Sequence, residues 1–384
     1  MNRICCITDR FYYLGPEGEI IMAKGISVYI GANYTMEENL RYVQHAREKG
    51  FSNIFASLHI AEADDAKVLE GFKTILDFAE MYGMSIIADI SPGTFTHLEW
   101  DIRNLKPLKE LGLYGVRVNS GFTAEEIAEF TKNPYGLKIE INASTVTEKF
   151  LSDFEQKGKP DYNNIQACHS YYSRRNTGIS RAIFEHRNHL LRQHGIHHIA
   201  AFIPSQGNRQ EPIFEGRPTL EMHREMEPQV AAKHLYALGI DNVVFGDSIP
   251  SEEEIQSVGR LDEKLMELRM NVYEPNEMER SILFQGTHSS RPDWAEDVVR
   301  STGSIGLKDA ELMQPHDTIE RKIGYVTIDN KAYLDYCGEL QICKRDLPQD
   351  DRVNVVGRIV EEEIFLLDYI NEESQFRLMD AGQQ

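Results

Sequence analysis

From Lys24 onward, apolar and polar positions follow one repeating order. A β-rich apolar run comes first, then a turn, then an amphipathic stretch of about 10–18 residues. The runs are GISVYIG from Gly25, NIFASLHI from Asn53, SIIADIS from Ser85 and YGVRVNS from Tyr114. They continue with LKIEINAS from Leu137, NIQACHS from Asn164, HIAAFIPS from His198 and NVVFGDS from Asn242, which makes eight. Between them lie helical patterns such as Met36–Gly50, with Thr35 placed to cap its start and Gly50 to close it. A second runs from Ala66 to Gly83. Alternating strand and helix predicts parallel βαβ units. Eight of them predict an α/β fold, a (β/α)8 TIM barrel. An open doubly wound sheet is disfavoured, because no G-x-G-x-x-G follows the first strand.

After about Leu268 the pattern changes to hairpin-like pieces: GYVTIDN from Gly324, YLDYCGELQIC from Tyr333 and RVNVVGRIV from Arg352, with a turn at Asp329-Asn330. The expected organisation is a disordered lead-in over residues 1–23, a barrel over 24–270 and a small β-rich domain over 271–384. The division is expected between Leu268 and Glu279.

Charge narrows the partners. With 41 Lys+Arg against 61 Asp+Glu, the net charge is -20. That far field repels nucleic acid and anionic membranes, so neither is an expected partner. An anionic small molecule would need a few local cations to capture it. Hydrophobic residues make up 41% of the chain, enough for a sizeable core. No stretch approaches the roughly 20 consecutive apolar residues of a membrane span. Five cysteines (Cys5, Cys6, Cys168, Cys337 and Cys343) form neither a disulfide framework nor a zinc pattern. Met1–Met22 lacks the features of a signal peptide, and Met22 is an alternative start. The expectation is a cytoplasmic protein without cofactor or metal, with a homo-oligomer left open.

Strand alternation selects the interior residues, and a TIM barrel carries its active site at the C-terminal strand ends. Alternation places Ser27 and Tyr29 inside from the first run, Ser57 and His59 from the second, and Asp89 and Ser91 from the third. The fourth gives Arg117 and Asn119, and the fifth Lys138, Glu140 and Asn142. His169 ends the sixth, and Gly246-Asp247-Ser248 ends the eighth. Branched apolar residues normally fill such an interior. A satisfied salt-bridge network is the structural alternative for the set. Asp247 could also cap the helix near Ser251, and His59 and His169 could be core histidines bonded to backbone.

Two carboxylates facing one cavity suit acid/base work on an acetal. Asp89 and Glu140 are the candidate catalytic pair, with one strand between them. Arg117 and Lys138 add positive charge beside them, which suggests a sugar bearing an anion and keeps one carboxyl ionised. No G-x-S-x-G elbow or clustered metal-ligand pattern competes.

In NPYGLKIE from Asn133, PHDTIE from Pro315, GELQI from Gly338, NVVGRI from Asn354 and FLLDYI from Phe365, the chain resembles the 6-phospho-N-acetylmuramidases (MupG type, glycoside hydrolase family 170). The similarity runs from about Lys24 to Arg377. The resemblance implies a TIM barrel followed by a C-terminal cyclophilin-like β domain. It also implies cytoplasmic hydrolysis of 6-phospho-N-acetylmuramic acid glycosides in peptidoglycan recycling. Asp89, Glu140, Asn142 and His169 match the residues it implies. Asn119, in the Arg117–Phe122 context, stands where relatives usually read Asp, and Asp247 where they read Asn. These departures put substrate or rate in question, not fold.

Substrate-binding candidates from the barrel are Ser57, His59, Arg117, Asn119, Lys138, Asn142, His169 and Asp247. From the second domain, Arg291 and Arg352 are candidates for phosphate or the lactyl carboxylate, with Arg300 and Ser301 beside them. Surface charge is their plain alternative. His316-Asp317-Thr318 is either a turn or a ligand loop. The rival functions are a non-catalytic phosphosugar binder and a different barrel enzyme, such as an epimerase or lyase.

Overall fold

The computed structural model describes residues 23–30, 34–57, 65–118, 121–302, 313–372 and 374–383. The expected lead-in lies outside these residues except for Ala23, which opens the first strand. His59 and Asn119 also lie outside them.

The eight apolar runs are eight parallel strands closed into a barrel in chain order. They are β1 (Ala23–Val28), β2 (Asn53–Ser57), β3 (Ser85–Ile90), β4 (Gly115–Val118), β5 (Lys138–Asn142), β6 (Ile165–Cys168), β7 (Ile199–Ile203) and β8 (Asn242–Phe245). β8 pairs back onto β1, so the sheet has no free edge. Local signals set the helix ends. Thr35 caps the helix Met36–Glu48: its hydroxyl accepts from the Glu38 amide at 3.3 Å, and Glu38 Oε2 accepts from the Thr35 amide at 2.7 Å. Gly50 follows with φ 94°, a left-handed turn that glycine adopts without a Cβ clash. The expected second helix spans Asp65–Met81.

The NPYG stretch closes the loop into β5. Asn133 Oδ1 accepts from the amides of Tyr135 (3.2 Å) and Leu137 (3.0 Å), and its Nδ2 donates to the carbonyls of Phe130 and Leu137. One side chain thereby satisfies four backbone groups and delivers the chain into the strand that carries Glu140.

The second unit spans Leu261–Gln384. Its seven-stranded mixed sheet comprises β9 (Met266–Val272), β10 (His288–Ser289), β11 (Val298–Arg300), β12 (Tyr325–Asp329), β13 (Leu340–Cys343), β14 (Val353–Ile359) and β15 (Gln375–Asp380). The order is β10-β15-β9-β14-β12-β13-β11. The first unit accordingly ends at Arg260. β9 belongs to this unit, pairing parallel to β15 and antiparallel to β14. At Asp329-Asn330 the chain leaves β12, and Asn330 caps a 3-10 segment over Lys331–Tyr336.

The PHDTIE and NVVGRI strings meet in this unit. Fully buried Glu279 accepts from His316 Nε2 at 2.8 Å and from Asn354 Nδ2 at 2.9 Å. Asn354 Oδ1 in turn accepts from the His316 amide at 3.1 Å. His316 is thus held by structural partners. Its imidazole is pushed up: burial opposes the charge, but hydrogen bonds to Asp317 and Glu279 outweigh it.

Candidate active site

Barrel register aligns one row of interior polar residues. Ser57 pairs with Asp89, Asp89 with Arg117, Arg117 with Glu140, and Glu140 with Gln166, across β2 to β6. Asp89, Arg117, Glu140 and Gln166 are all buried. Facing them is an apolar cluster of Phe55, Cys168, Ala200, Phe202 and Val244, drawn from β2, β6, β7 and β8. Strand alternation alone suggested polarity confined to the mouth. Around the barrel it also divides side to side, with a charged wall on β3–β5 and a mostly apolar wall on β7, β8 and β2.

Glu140 accepts from Gln166 Nε2 at 2.7 Å. Burial pushes its carboxyl above the usual range, against the pull of Arg117 and of the Gln166 hydrogen bond. Arg117 sits between the two carboxylates in the row. Its Nη1 donates to Cys168 Sγ (3.3 Å) and the His169 carbonyl (3.2 Å), and its Nη2 to Ser170 Oγ (3.1 Å). Burial works against its charge, but Cys168, Glu140 and Asp89 hold the guanidinium above its ordinary value. Burial followed by the Glu140 charge keeps the Cys168 thiol protonated, well above its usual range.

His169 is wholly buried. Its Nε2 meets Asn188 Oδ1 at 2.8 Å and its Nδ1 meets Ser144 Oγ at 3.2 Å, while the ring stacks on Phe184 at 4.3 Å. Burial pushes it down to about 3, so it is neutral at physiological pH. It is a bracket that positions the Arg117-binding carbonyl. Asn142 ends β5, and its Oδ1 accepts from the Ser144 amide at 3.0 Å, turning the chain out of the strand.

Other candidates sit elsewhere. Lys138 shares the interior parity of Glu140 but is the first residue of β5, at the end away from the mouth. Its Nζ donates to the Asn163 carbonyl, and burial pushes it down against the pull of Asp161. Alternation finds the face but not the layer. Asp247 does not cap a helix; Ser251 does that. Fully buried, Asp247 accepts from the amides of Ser205 (2.9 Å), Gln210 (2.8 Å) and Arg217 (3.1 Å), tying the β7–helix connection to the end of β8. In the second unit, Arg291 is paired with Asp293 (2.6 Å), Arg352 with Asp350 (2.8 Å) and Arg300 with buried Glu339 (2.6 Å). An anion would have to displace a carboxylate at each.

Sequence reasoning did not single out Gln166, Ser170, Tyr171 or Arg217. Gln166 shares the parity of Cys168 in the sixth run, a signal that was present. Arg217 lies in a long connection, where no periodicity exists to read. Gly246 sets its height: a Cβ there would lie 2.1 Å from the Arg217 carbonyl oxygen. Gly246→Ala should therefore cost about 1–3 kcal/mol of stability, seen as a lower melting temperature. An unchanged melt would show that the connection yields freely.

The N-terminal family model of 6-phospho-N-acetylmuramidase matches residues 24–260, and the C-terminal model matches residues 266–379. The chain belongs to the 6-phospho-N-acetylmuramidase family. A solved structure of an uncharacterised Bacillus cereus protein is similar at 34% identity over 94% of this chain and 100% of that one, with a TM-score of 0.84. A conserved Enterococcus faecalis protein of unknown function is 32% identical over 94% of this chain and 97% of that one, with a TM-score of 0.72. None of the curated proteins compared matches the chain. Membership of the 6-phospho-N-acetylmuramidase family supports a glycosidase and a phosphorylated sugar as substrate. Among the described residues, no helix is long and apolar enough to cross a membrane, and no group of three or more His, Cys, Asp or Glu could hold a metal ion.

Proposed function

We propose that this chain hydrolyses glycosides of 6-phospho-N-acetylmuramic acid, with Glu140 as the general acid and Asp89 as the ionised partner. The observation that carries the reading is Glu140 itself: a buried carboxyl pushed up by desolvation, one strand from a buried arginine and two from a second carboxylate. In this scheme the bond from the anomeric carbon to the aglycone oxygen breaks, and that oxygen takes the Glu140 proton. The anomeric carbon develops positive charge, which the Asp89 carboxylate stabilises. Water supplies the hydroxyl that ends on the anomeric carbon, and its proton restores Glu140. Arg117, between the two carboxyls in the row, opposes the rise of the Glu140 carboxyl that burial causes. Such an activity would serve peptidoglycan recycling inside the cell.

Turnover of a chromogenic 6-phospho-N-acetylmuramic acid glycoside, in the presence and absence of a chelator, tests the reading. Chelator-insensitive release of the aglycone is expected. Tight binding without release would favour the non-catalytic binder.

The departure at Asn119 adds a second test. The family resemblance implies Asp there, next in sequence to β4 and two residues from Arg117. Asn cannot hold a full negative charge near a developing cation. Asn119→Asp should raise kcat at saturating substrate with an unchanged melting curve. A robust wild-type rate that the substitution leaves alone or reduces would limit position 119 to orientation.

A further inference from the structure

The barrel mouth contains a second arginine whose surroundings differ from those of Arg117. The Arg217 guanidinium lies over two tyrosine rings, 4.4 Å from the centroid of Tyr29 and 4.9 Å from that of Tyr171. The two rings meet edge to face at 6.3 Å. Tyr29 follows β1 and Tyr171 lies just beyond β6, so both stand at the C-terminal strand ends. Tyr171 also packs edge-on against Phe55 at 6.3 Å, and the Arg117 guanidinium lies 5.8 Å from the same Phe55 ring. One chain of ring contacts therefore joins Arg217 to the charged wall.

Arg117 has both terminal nitrogens donating to protein acceptors, which leaves only its buried Nε without a partner and no terminal fork for a ligand. Arg217 is differently placed. Its Nη2 donates to the Glu211 carbonyl at 3.2 Å, and its buried Nε has no hydrogen-bond partner among the described residues. Asp247 contributes its field, but its oxygens accept from three backbone amides. A half-buried guanidinium without a carboxylate against it is costly unless an anion completes it. The position is rigid: the Asp247 carboxylate holds the Arg217 amide, and the Gly246 contact leaves its carbonyl no room to move. In barrels of this type, the connections after the seventh and eighth strands commonly hold phosphate.

We infer that Arg217, clamped on Tyr29 and Tyr171, is the phosphate receptor of the barrel mouth and sets the preference for a phosphorylated sugar. The assignment rests on the reading of this mouth as a phosphosugar site. The two rings hold the guanidinium at the mouth, and its planar fork of donors can meet two phosphate oxygens at once, a geometry lysine cannot copy.

The test compares binding of N-acetylmuramic acid 6-phosphate, unphosphorylated N-acetylmuramic acid and N-acetylglucosamine 6-phosphate by calorimetry to the full chain. Wild type should bind both phosphorylated sugars at least about tenfold tighter than the unphosphorylated one. In Arg217→Gln this ratio should collapse toward one, with affinity for the unphosphorylated sugar changed less than about twofold. Arg217→Lys should keep part of the preference, and it carries the test if the glutamine variant fails to fold. A ratio kept in the variants, equal weakening of all three sugars, or no phosphate preference in wild type overturns the assignment. An effect confined to the two sugars that carry the lactyl group would give Arg217 to the carboxylate and also overturn it. Hydrolysis is read separately on the chromogenic glycoside. No turnover with the binding difference intact removes the hydrolase reading and leaves Arg217 as the receptor. Turnover with an unaltered ratio does the reverse.

Discussion

Glu140→Gln should lower kcat by about 10²–10⁴-fold, the usual worth of a positioned proton donor. Glutamine keeps the shape and can still face Gln166, so the barrel should remain folded. The pH dependence has a definite sign. The Glu140 carboxyl is raised by burial, so its acid form persists to higher pH than that of an ordinary glutamate. Activity that needs this proton is present below the raised value and falls as pH climbs through it. The variant should lose that alkaline limb along with most of its rate. Asp89→Asn should reduce kcat to a similar degree but leave the alkaline limb in place, because the proton donor is intact. A folded Glu140→Gln protein with the wild-type kcat and pH profile would remove Glu140 from the mechanism.

The second large effect concerns stability. Asp247→Ala should destabilise the barrel by about 3 kcal/mol or more. Its carboxylate is the acceptor for three amides, from Ser205, Gln210 and Arg217, and alanine supplies none. Each buried amide left without a partner costs about 1–3 kcal/mol. Asp247→Asn keeps one acceptor oxygen and should fall between the two. Urea unfolding measures the loss, and limited proteolysis should find new cleavage within residues 204–227, the segment these bonds pin down. An alanine variant that melts like wild type would show that the connection finds other acceptors. If phosphate is held by Arg217, the same variant should also bind phosphosugars more weakly, since the arginine amide is one of the three donors released.

Much of the fold and part of the site follow from local pattern. The eight strands, the capping Thr35 and the glycine that closes its helix all depend on side-chain period and backbone sterics, which act over a few residues. The same period of two put Asp89, Arg117 and Glu140 on interior faces, since alternate residues must point the same way. Spacing did not give depth. Lys138 has the right parity and the wrong end of the strand. Register across the barrel, a relation between strands far apart in sequence, is what aligned Asp89, Arg117, Glu140 and Gln166 in one row.

The remaining decisions belong to tertiary structure. β9 joined the second unit because β15, more than a hundred residues later, pairs beside it. Arg300 became an ion pair once the fold brought Glu339 within reach, whereas Arg291 and Arg352 pair locally with Asp293 and Asp350, two residues away. Asp247 anchors a distant connection because three of its amides converge on the carboxylate. Arg217 carries no period, cap or motif. Its importance arises only where β1, β6, β7 and β8 end together, with two tyrosines beneath a guanidinium. Sequence determines faces and element ends because those forces are short-ranged along the chain. Which charges remain without a partner is decided by neighbours brought together through space, and only the closed barrel supplies them.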